Sequence, residues 1–298
     1  MLHIAIALLV GVAQAQELPG AKDPTPLRCN LASRLSGPDD PLLNRLKGAA
    51  EFFACSASFV TLKGRSKSER GLILTSGHCV GRGTASLLRR FVVPAPGEVL
   101  RHLEERRSFT LDTGNAAAPR ACLSADELMY ATMTDLDIAI YRLTETYEEI
   151  EGRTGTTPLM IAADGRIPAG TKVRLPSALH QTDTTCSTGG TVPKLREMRW
   201  TFGPVLRLTT DCNARRGSSG SPVIREDTSE VIGVLSTGYV ADGAPCEIMN
   251  PCEIDEKGVV SVAEKGQAYA NFVHQLYACF DSRGNFDLTA ADCSLPKP

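Results

Sequence analysis

The chain has 298 residues, 42% of them hydrophobic, which is enough for one large domain or two smaller ones with buried cores and excludes disorder as the main state. Lys and Arg total 32 against 34 Asp and Glu, so a formal net charge of −2 provides no global field to attract nucleic acid or anionic lipid. Partners must therefore be argued from individual sites. Leu2 to Val12 is almost continuously apolar and Ala13-Gln14-Ala15 supplies small residues, which together predict a secretory signal peptide over residues 1–15, although no Lys or Arg precedes the apolar run. That run is too short for about 30 Å of hydrocarbon and no later one is longer, so no membrane association is expected after signal cleavage. Export places all ten cysteines in an oxidising compartment, secreted or periplasmic, where up to five disulfides are expected. Metal spacing is poor, with Cys246 and Cys252 or His274 and Cys279 as the nearest approaches, so neither a metal nor another cofactor is expected.

Residues 16–50, rich in Pro, Gly and charge, read as an N-terminal extension or propeptide with one helix-compatible stretch, Pro41 to Lys47. Short apolar runs at Cys55 to Leu62, Gly71 to Thr75, Ser86 to Val93 and Ile138 to Leu143 predict β-strands. The charged stretch Glu98 to Arg107 reads as a solvated loop or surface helix. Glu145 to Thr157, acidic and then glycine-rich, reads as a linker between two halves. A second set of strands is predicted at Lys172 to Leu175, Glu197 to Thr201, Val205 to Thr209, Pro222 to Ile224, Val231 to Leu235 and Val259 to Val262. Their shortness and turn-rich connections suit small antiparallel barrels. Tyr269, Phe272, Val273, Leu276, Tyr277 and Phe280 recur at helical spacing and predict one amphipathic helix packed against a barrel.

Amide hydrolysis needs a nucleophile, a base, a group to orient that base, and donors for the developing oxyanion. With His3 assigned to the signal, the candidate bases are His78, His102, His180 and His274. His78 stands apart, because Leu72-Ile73-Leu74-Thr75-Ser76-Gly77-His78-Cys79 ends an apolar strand in small residues beside a cysteine able to pin the loop. Its bland reading is a surface histidine beside a disulfide. Arg216-Gly217-Ser218-Ser219-Gly220-Ser221-Pro222 is a glycine-bracketed turn whose backbone N–H groups can converge on an anion, with Ser219 the candidate nucleophile and Ser218 and Ser221 its rivals. Asp137 opens the apolar run Ile138-Ala139-Ile140 and is the candidate orienting carboxylate, with Asp135 as rival.

These blocks, together with Cys55-Ser56-Ala57-Ser58-Phe59-Val60, resemble the chymotrypsin-like serine peptidase family, and the chain order His, Asp, Ser is that family's order. The resemblance spans roughly residues 50–280. It implies an all-β fold of two antiparallel six-stranded β-barrels, over residues 51–150 with His78 and Asp137 and over 151–298 with Ser219 and the C-terminal helix, and an active site between them. It implies a Ser219-His78-Asp137 triad acting through an acyl-enzyme, an oxyanion hole from the N–H groups of Gly217 and Ser219, and a substrate-pairing segment Ser236-Thr237-Gly238. It also implies that Cys55 and Cys79 close the histidine loop, with Cys186–Cys212, Cys246–Cys252, Cys279–Cys293 and Cys29–Cys122 as the remaining pairs.

Three departures qualify the resemblance. Ser218 stands where animal members carry the Asp that pairs with a newly freed N-terminus. Leu235 stands where glutamyl endopeptidases commonly carry a histidine. Asn213, six residues before Ser219, falls by simple counting at the base of the primary specificity pocket, where an amide cannot neutralise Lys or Arg unless Asp211 also reaches it. Arg215 and Arg216 read as solvated charges. The expected function is a secreted, monomeric serine endopeptidase acting on protein or peptide substrates. The alternatives are a catalytically silent homologue that binds partners, and an α/β-hydrolase esterase using Ser219 with Asp255 and His274. Pro222, which would interrupt the helix after the nucleophile, disfavours the last.

Overall fold

The computed structural model describes residues 29–35, 37–80, 93–240, 242–281 and 283–298. The expected signal peptide, the extension up to residue 28 and all but the last residue of the expected strand Ser86 to Val93 lie outside the described residues. After a short helix α1 (Leu42–Arg45) come six strands: β1 (Ala49–Phe52), β2 (Cys55–Thr61), β3 (Arg70–Thr75), β4 (Val99–Asp112), β5 (Arg120–Thr132) and β6 (Ile138–Thr146). They close into a ring in the order β1-β4-β5-β6-β3-β2, because β1 pairs with both β4 and β2. Closure leaves no unpaired edge and encloses Phe59, Leu72, Leu74, Phe109, Leu111, Leu123 and Tyr141, all buried. Phe109 packs on Phe52 at 4.9 Å and on Tyr141 at 5.3 Å between ring centroids, within the range of favourable tilted contacts.

The acidic segment expected as a linker contains a helix, α2 (Tyr147–Thr154). Thr146 and Glu149 form a reciprocal capping box at its start, Glu148 and Glu149 sit in the first turn where the helix dipole favours negative charge, and Gly155 ends it in the left-handed conformation. The strand β7 (Leu159–Met160) adds in parallel to β2. The following strands are β8 (Lys172–Ser177), β9 (Thr182–Val192), β10 (Lys194–Glu197), β11 (Trp200–Phe202), β12 (Val205–Leu208), β13 (Pro222–Arg225), β14 (Val231–Gly238), β15 (Cys252–Ile254), β16 (Val260–Val262) and β17 (Ala268–Phe272). A second closed barrel runs β12-β17-β14-β13-β8-β9, and β11-β10-β15-β16 form a four-stranded sheet beside it. The fold is thus the all-β double barrel.

Two segments differ from their sequence patterns. The charged stretch Glu98 to Arg107 is neither loop nor helix but most of β4, paired along its length with β5. Its exposed half carries charge without penalty, and His102 Nδ1 bonds Glu127 on β5 at 2.8 Å. The expected C-terminal helix is split: Tyr269 and Phe272 belong to β17, which the second barrel needs between β12 and β14, and only His274–Cys279 turn, as a 3₁₀ helix. A helical period coincides there with a strand buried on both faces, and non-local pairing decides between them. Val273 and Leu276 then pack with the first barrel's core, as do Phe286, Leu288 and Leu295 of the tail. All five disulfides pair as the resemblance implies.

Candidate active site

Strand pairing places the first two candidate side chains. β3 and β6 are antiparallel neighbours with Thr75 opposite Ala139, so the residues just past the end of β3 lie beside those just before β6. The chain after β3 makes a 3₁₀ turn, Gly77–Val80, whose Cys79 is tied to Cys55 on β2. His78 and Asp137 meet there. The carboxylate is 1% exposed and accepts three hydrogen bonds: from the His78 backbone N–H at 2.8 Å, from His78 Nδ1 at 2.6 Å and from Ser236 Oγ at 2.6 Å. A carboxylate only accepts, so Nδ1 carries the proton and, in the neutral ring, Nε2 is left basic.

The electrostatics of the pair follow from burial opposed by mutual attraction. Burial is the largest influence on His78 and works against its charge, but Asp137, by proximity and hydrogen bond, and then Glu197 outweigh it, so the imidazole sits above its ordinary pKa. Burial likewise works to raise Asp137, yet His78 and the hydroxyl of Ser236 hold it below the usual carboxylate value. Asp135, the rival, lies between two bends with φ +56° and forms an isolated β-bridge with Phe202, its carbonyl accepting from the Gly203 N–H at 2.9 Å.

The serine loop is stitched to both barrels. The Gly220 N–H bonds the Leu235 carbonyl on β14 at 2.8 Å, while the Ser56 N–H on β2 bonds the Ser219 carbonyl at 2.8 Å. Gly220 has φ +86°, and a Cβ there would lie 1.9 Å from the Ser56 carbonyl oxygen, so no other residue fits. Ser218 and Ser221 are buried. Ser219 borders the cleft, and its hydroxyl donates to the Ser236 carbonyl at 3.2 Å. With its one proton committed there, the hydroxyl is not donating to the imidazole in this state.

The cleft between the barrels has a volume of about 460 Å³ and is bordered by His78, Asp137, Gly217, Ser219, Ser236, Thr237 and Gly238 together. Its walls are largely apolar, including Met133, Trp200, Leu235 and Met249. Phe53, Met198 and Ile248, 50%, 45% and 64% exposed, also border it. Arg215 and Arg216 are exposed and border it as well. Asn213 does not: it is exposed, in the left-handed conformation after the 3₁₀ turn Thr210–Cys212, and Ala214 takes the place in the wall. Of the alternative pair, Asp255 caps a turn by accepting from the N–H groups of Lys257 and Val259, and the charge felt by His274 is that of Asp164.

Two residues stand at or behind the site in places that their local sequence does not mark. Glu197 at the end of β10 projects into the cleft and accepts from the Met249 N–H and the Thr237 hydroxyl. Burial raises its pKa above the usual carboxylate value against those two bonds. Its partners lie forty or more residues away in sequence, and no local pattern marks it. His180, one of four candidate bases, lies in the turn joining β8 to β9, where its Nε2 is 2.7 Å from the Arg216 carbonyl oxygen. As for metals, Cys55, His78 and Cys79 bring their donor atoms within 4.8 Å of one another, but the two sulfurs are joined to each other and offer no thiolate.

Residues 60–234, well over half of the chain and including all three candidate catalytic side chains, match the trypsin-like peptidase domain. The chain belongs to that family. Among curated proteins none matches it. Solved structures similar to it include the active form of the Rv3671c protease from M. tuberculosis, at 12% identity and a TM-score of 0.46, covering 94% of this chain and 97% of that one. The MamO protease domain from Magnetospirillum magneticum is 11% identical with a TM-score of 0.44, covering 77% and 93%. The protease Anisep from Arthrobacter nicotinovorans is 16% identical with a TM-score of 0.42, covering 73% and 82%.

Proposed function

We propose that this chain is an exported serine endopeptidase using Ser219, His78 and Asp137. The observation that carries the reading is the buried carboxylate of Asp137, bonded to both the amide and Nδ1 of His78, with the Ser219 hydroxyl in the same cleft. Rotation of the Ser219 side chain exchanges its acceptor from the Ser236 carbonyl to His78 Nε2. Nε2 then takes the hydroxyl proton as Oγ attacks the scissile carbonyl, and it returns that proton to the leaving amine as the C–N bond breaks. Water, deprotonated by the same nitrogen, cleaves the resulting ester and regenerates the hydroxyl. Asp137 stays ionised throughout and stabilises the imidazolium.

The oxyanion is assigned to the N–H groups of Gly217 and Ser219, neither of which bonds a backbone carbonyl among the described residues. Ser236 to Gly238 continue β14 past its pairing with β13, which ends at Val234, so this edge is open to an extended peptide added as a strand. The apolar walls favour apolar side chains in that peptide. Five disulfides support export, and among the described residues no helix is long and apolar enough to cross a membrane. The test is covalent labelling by a fluorophosphonate, with mass spectrometry locating the adduct. The adduct is expected on Ser219, and Ser219→Ala is expected to lose both labelling and peptide hydrolysis. A wild-type protein that neither labels nor cleaves, or a label that persists in the variant, overturns the reading.

A further inference from the structure

The Arg216–Gly217 peptide can face either way, because Gly217, at φ +88° and lacking a Cβ, imposes little barrier to its rotation. Its orientation matters: a trans peptide points its C=O and N–H in opposite directions, so the Gly217 N–H faces the cleft only while the Arg216 carbonyl faces away. Ser218 supplies no charge to hold the loop, and its hydroxyl makes only a 3.5 Å contact with the Arg215 N–H. What the carbonyl meets on the far side is His180. A carbonyl only accepts, so His180 Nε2 must donate at this 2.7 Å contact, and it does so whether the ring is neutral or charged. The neighbouring Gly217 carbonyl is held outward as well, by Ser56 Oγ at 3.2 Å.

We propose that His180 is a positioning residue for the oxyanion hole, holding the Arg216 carbonyl outward so that the Gly217 N–H stays aimed at the reacting oxygen; this rests on the serine-peptidase reading above. The turn that carries His180 is itself held from behind. Arg120, buried between Glu51 and Asp112, donates to the Ala178 carbonyl at 3.2 Å, and the same guanidinium donates to the Asn30 and Ala32 carbonyls of the N-terminal segment at 3.0 and 3.2 Å. Gln181, next to His180, accepts from the Arg34 N–H and donates to Ser33 Oγ at 3.3 Å. Cys29–Cys122 fastens that segment to β5. The N-terminal segment, the β8–β9 turn and the serine loop thus form one hydrogen-bonded chain ending at the oxyanion donor.

The experiment compares wild type with His180→Ala, His180→Gln and His180→Met by peptide hydrolysis, by inhibition with a peptide aldehyde, whose tetrahedral adduct uses the oxyanion hole, and by thermal melting. Loss of one net hydrogen bond shifts the competent population by roughly tenfold. His180→Ala is therefore expected to lower kcat about tenfold with KM within about twofold, to weaken the aldehyde in parallel, and to lower Tm by no more than a few degrees. His180→Gln restores a donor at the same reach and is expected to recover kcat, while His180→Met, of similar length with no donor, is not. If His180→Ala fails to fold, the Gln and Met pair decides alone. Equal kcat in Gln and Met variants, or an unchanged kcat in His180→Ala, overturns the proposal while leaving the peptidase reading intact. A wild-type protein that does not react with fluorophosphonate overturns both, so the two failures are distinguished.

Discussion

Replacing Ser236 by Ala removes one of three donors from a buried carboxylate and tests the electrostatic account of the site. The Ser236 hydroxyl donates to Asp137 Oδ2 at 2.6 Å, beside the bond from His78 Nδ1 to the same oxygen. A hydrogen bond to a buried charge contributes roughly 1.5–3 kcal/mol. The variant is therefore expected to lose about 2 kcal/mol of stability at pH 7, or about 3 °C in Tm for a chain of this size. The sign of the pH dependence follows from the depressed pKa of Asp137. Its contribution is present above the unfolded-state value of about 3.9 and disappears as pH falls through the lower folded value. The gap between variant and wild type should thus be full at pH 7 and shrink in strong acid. Urea unfolding with disulfides intact, run at pH 7 and at a series of pH values below about 3.9, measures it, and kcat should fall about tenfold as the carboxylate that orients the imidazole loses one of its three donors. A stability gap that is absent at pH 7, or that persists unchanged in acid, refutes the reasoning.

Two further outcomes follow from charge placement. Asp137 foremost, with Glu197 adding to it, outweighs burial and holds His78 above its ordinary pKa, so the acid limb of kcat/KM in wild type is expected above the ordinary imidazole value of about 6.5, and Glu197→Gln should move that limb to lower pH; a limb that stays or moves upward refutes the assignment. Asp112, with its partner Arg120 shared with Glu51, is pushed by burial up to about 7. Because its folded value is raised, its stabilising contribution is full below the unfolded value near 3.9 and is lost as pH rises to 7, by at most about 4 kcal/mol. Asp112→Asn should flatten this decline in a series of urea unfolding curves, and an unchanged pH profile counts against the account.

The candidate site was legible because its signals are local. Leu72 to Cys79 and Gly217 to Pro222 carry their meaning within a few residues: an apolar strand ending in small residues before a histidine, and glycines where backbone must approach backbone. The apolar runs of β2, β3, β6, β13 and β14 were legible for the same reason, since each pattern survives with no knowledge of its neighbours. Where the sequence misled, the deciding partner lay far away. The charge of Glu98 to Arg107 suggested solvent, yet β5 supplied a ladder to pair with. Tyr269 to Phe280 suggested a helix, yet closure of a barrel between β12 and β14 required a strand.

The sequence by itself determined the barrel-forming strands near the cleft and the cysteine supply for five bridges, and it singled out three candidate residues, His78, Asp137 and Ser219, that border one cleft. Only the tertiary structure decided that Asn213 lies outside the cleft, that Glu197 enters it, and that His180 reaches the Arg216 carbonyl. The physical reason is that strand propensity and turn chemistry are properties of consecutive residues, whereas which carboxylate enters a cavity, or which carbonyl an imidazole bonds, is fixed by the relative placement of β8–β9, β10 and the serine loop, which no stretch of sequence contains.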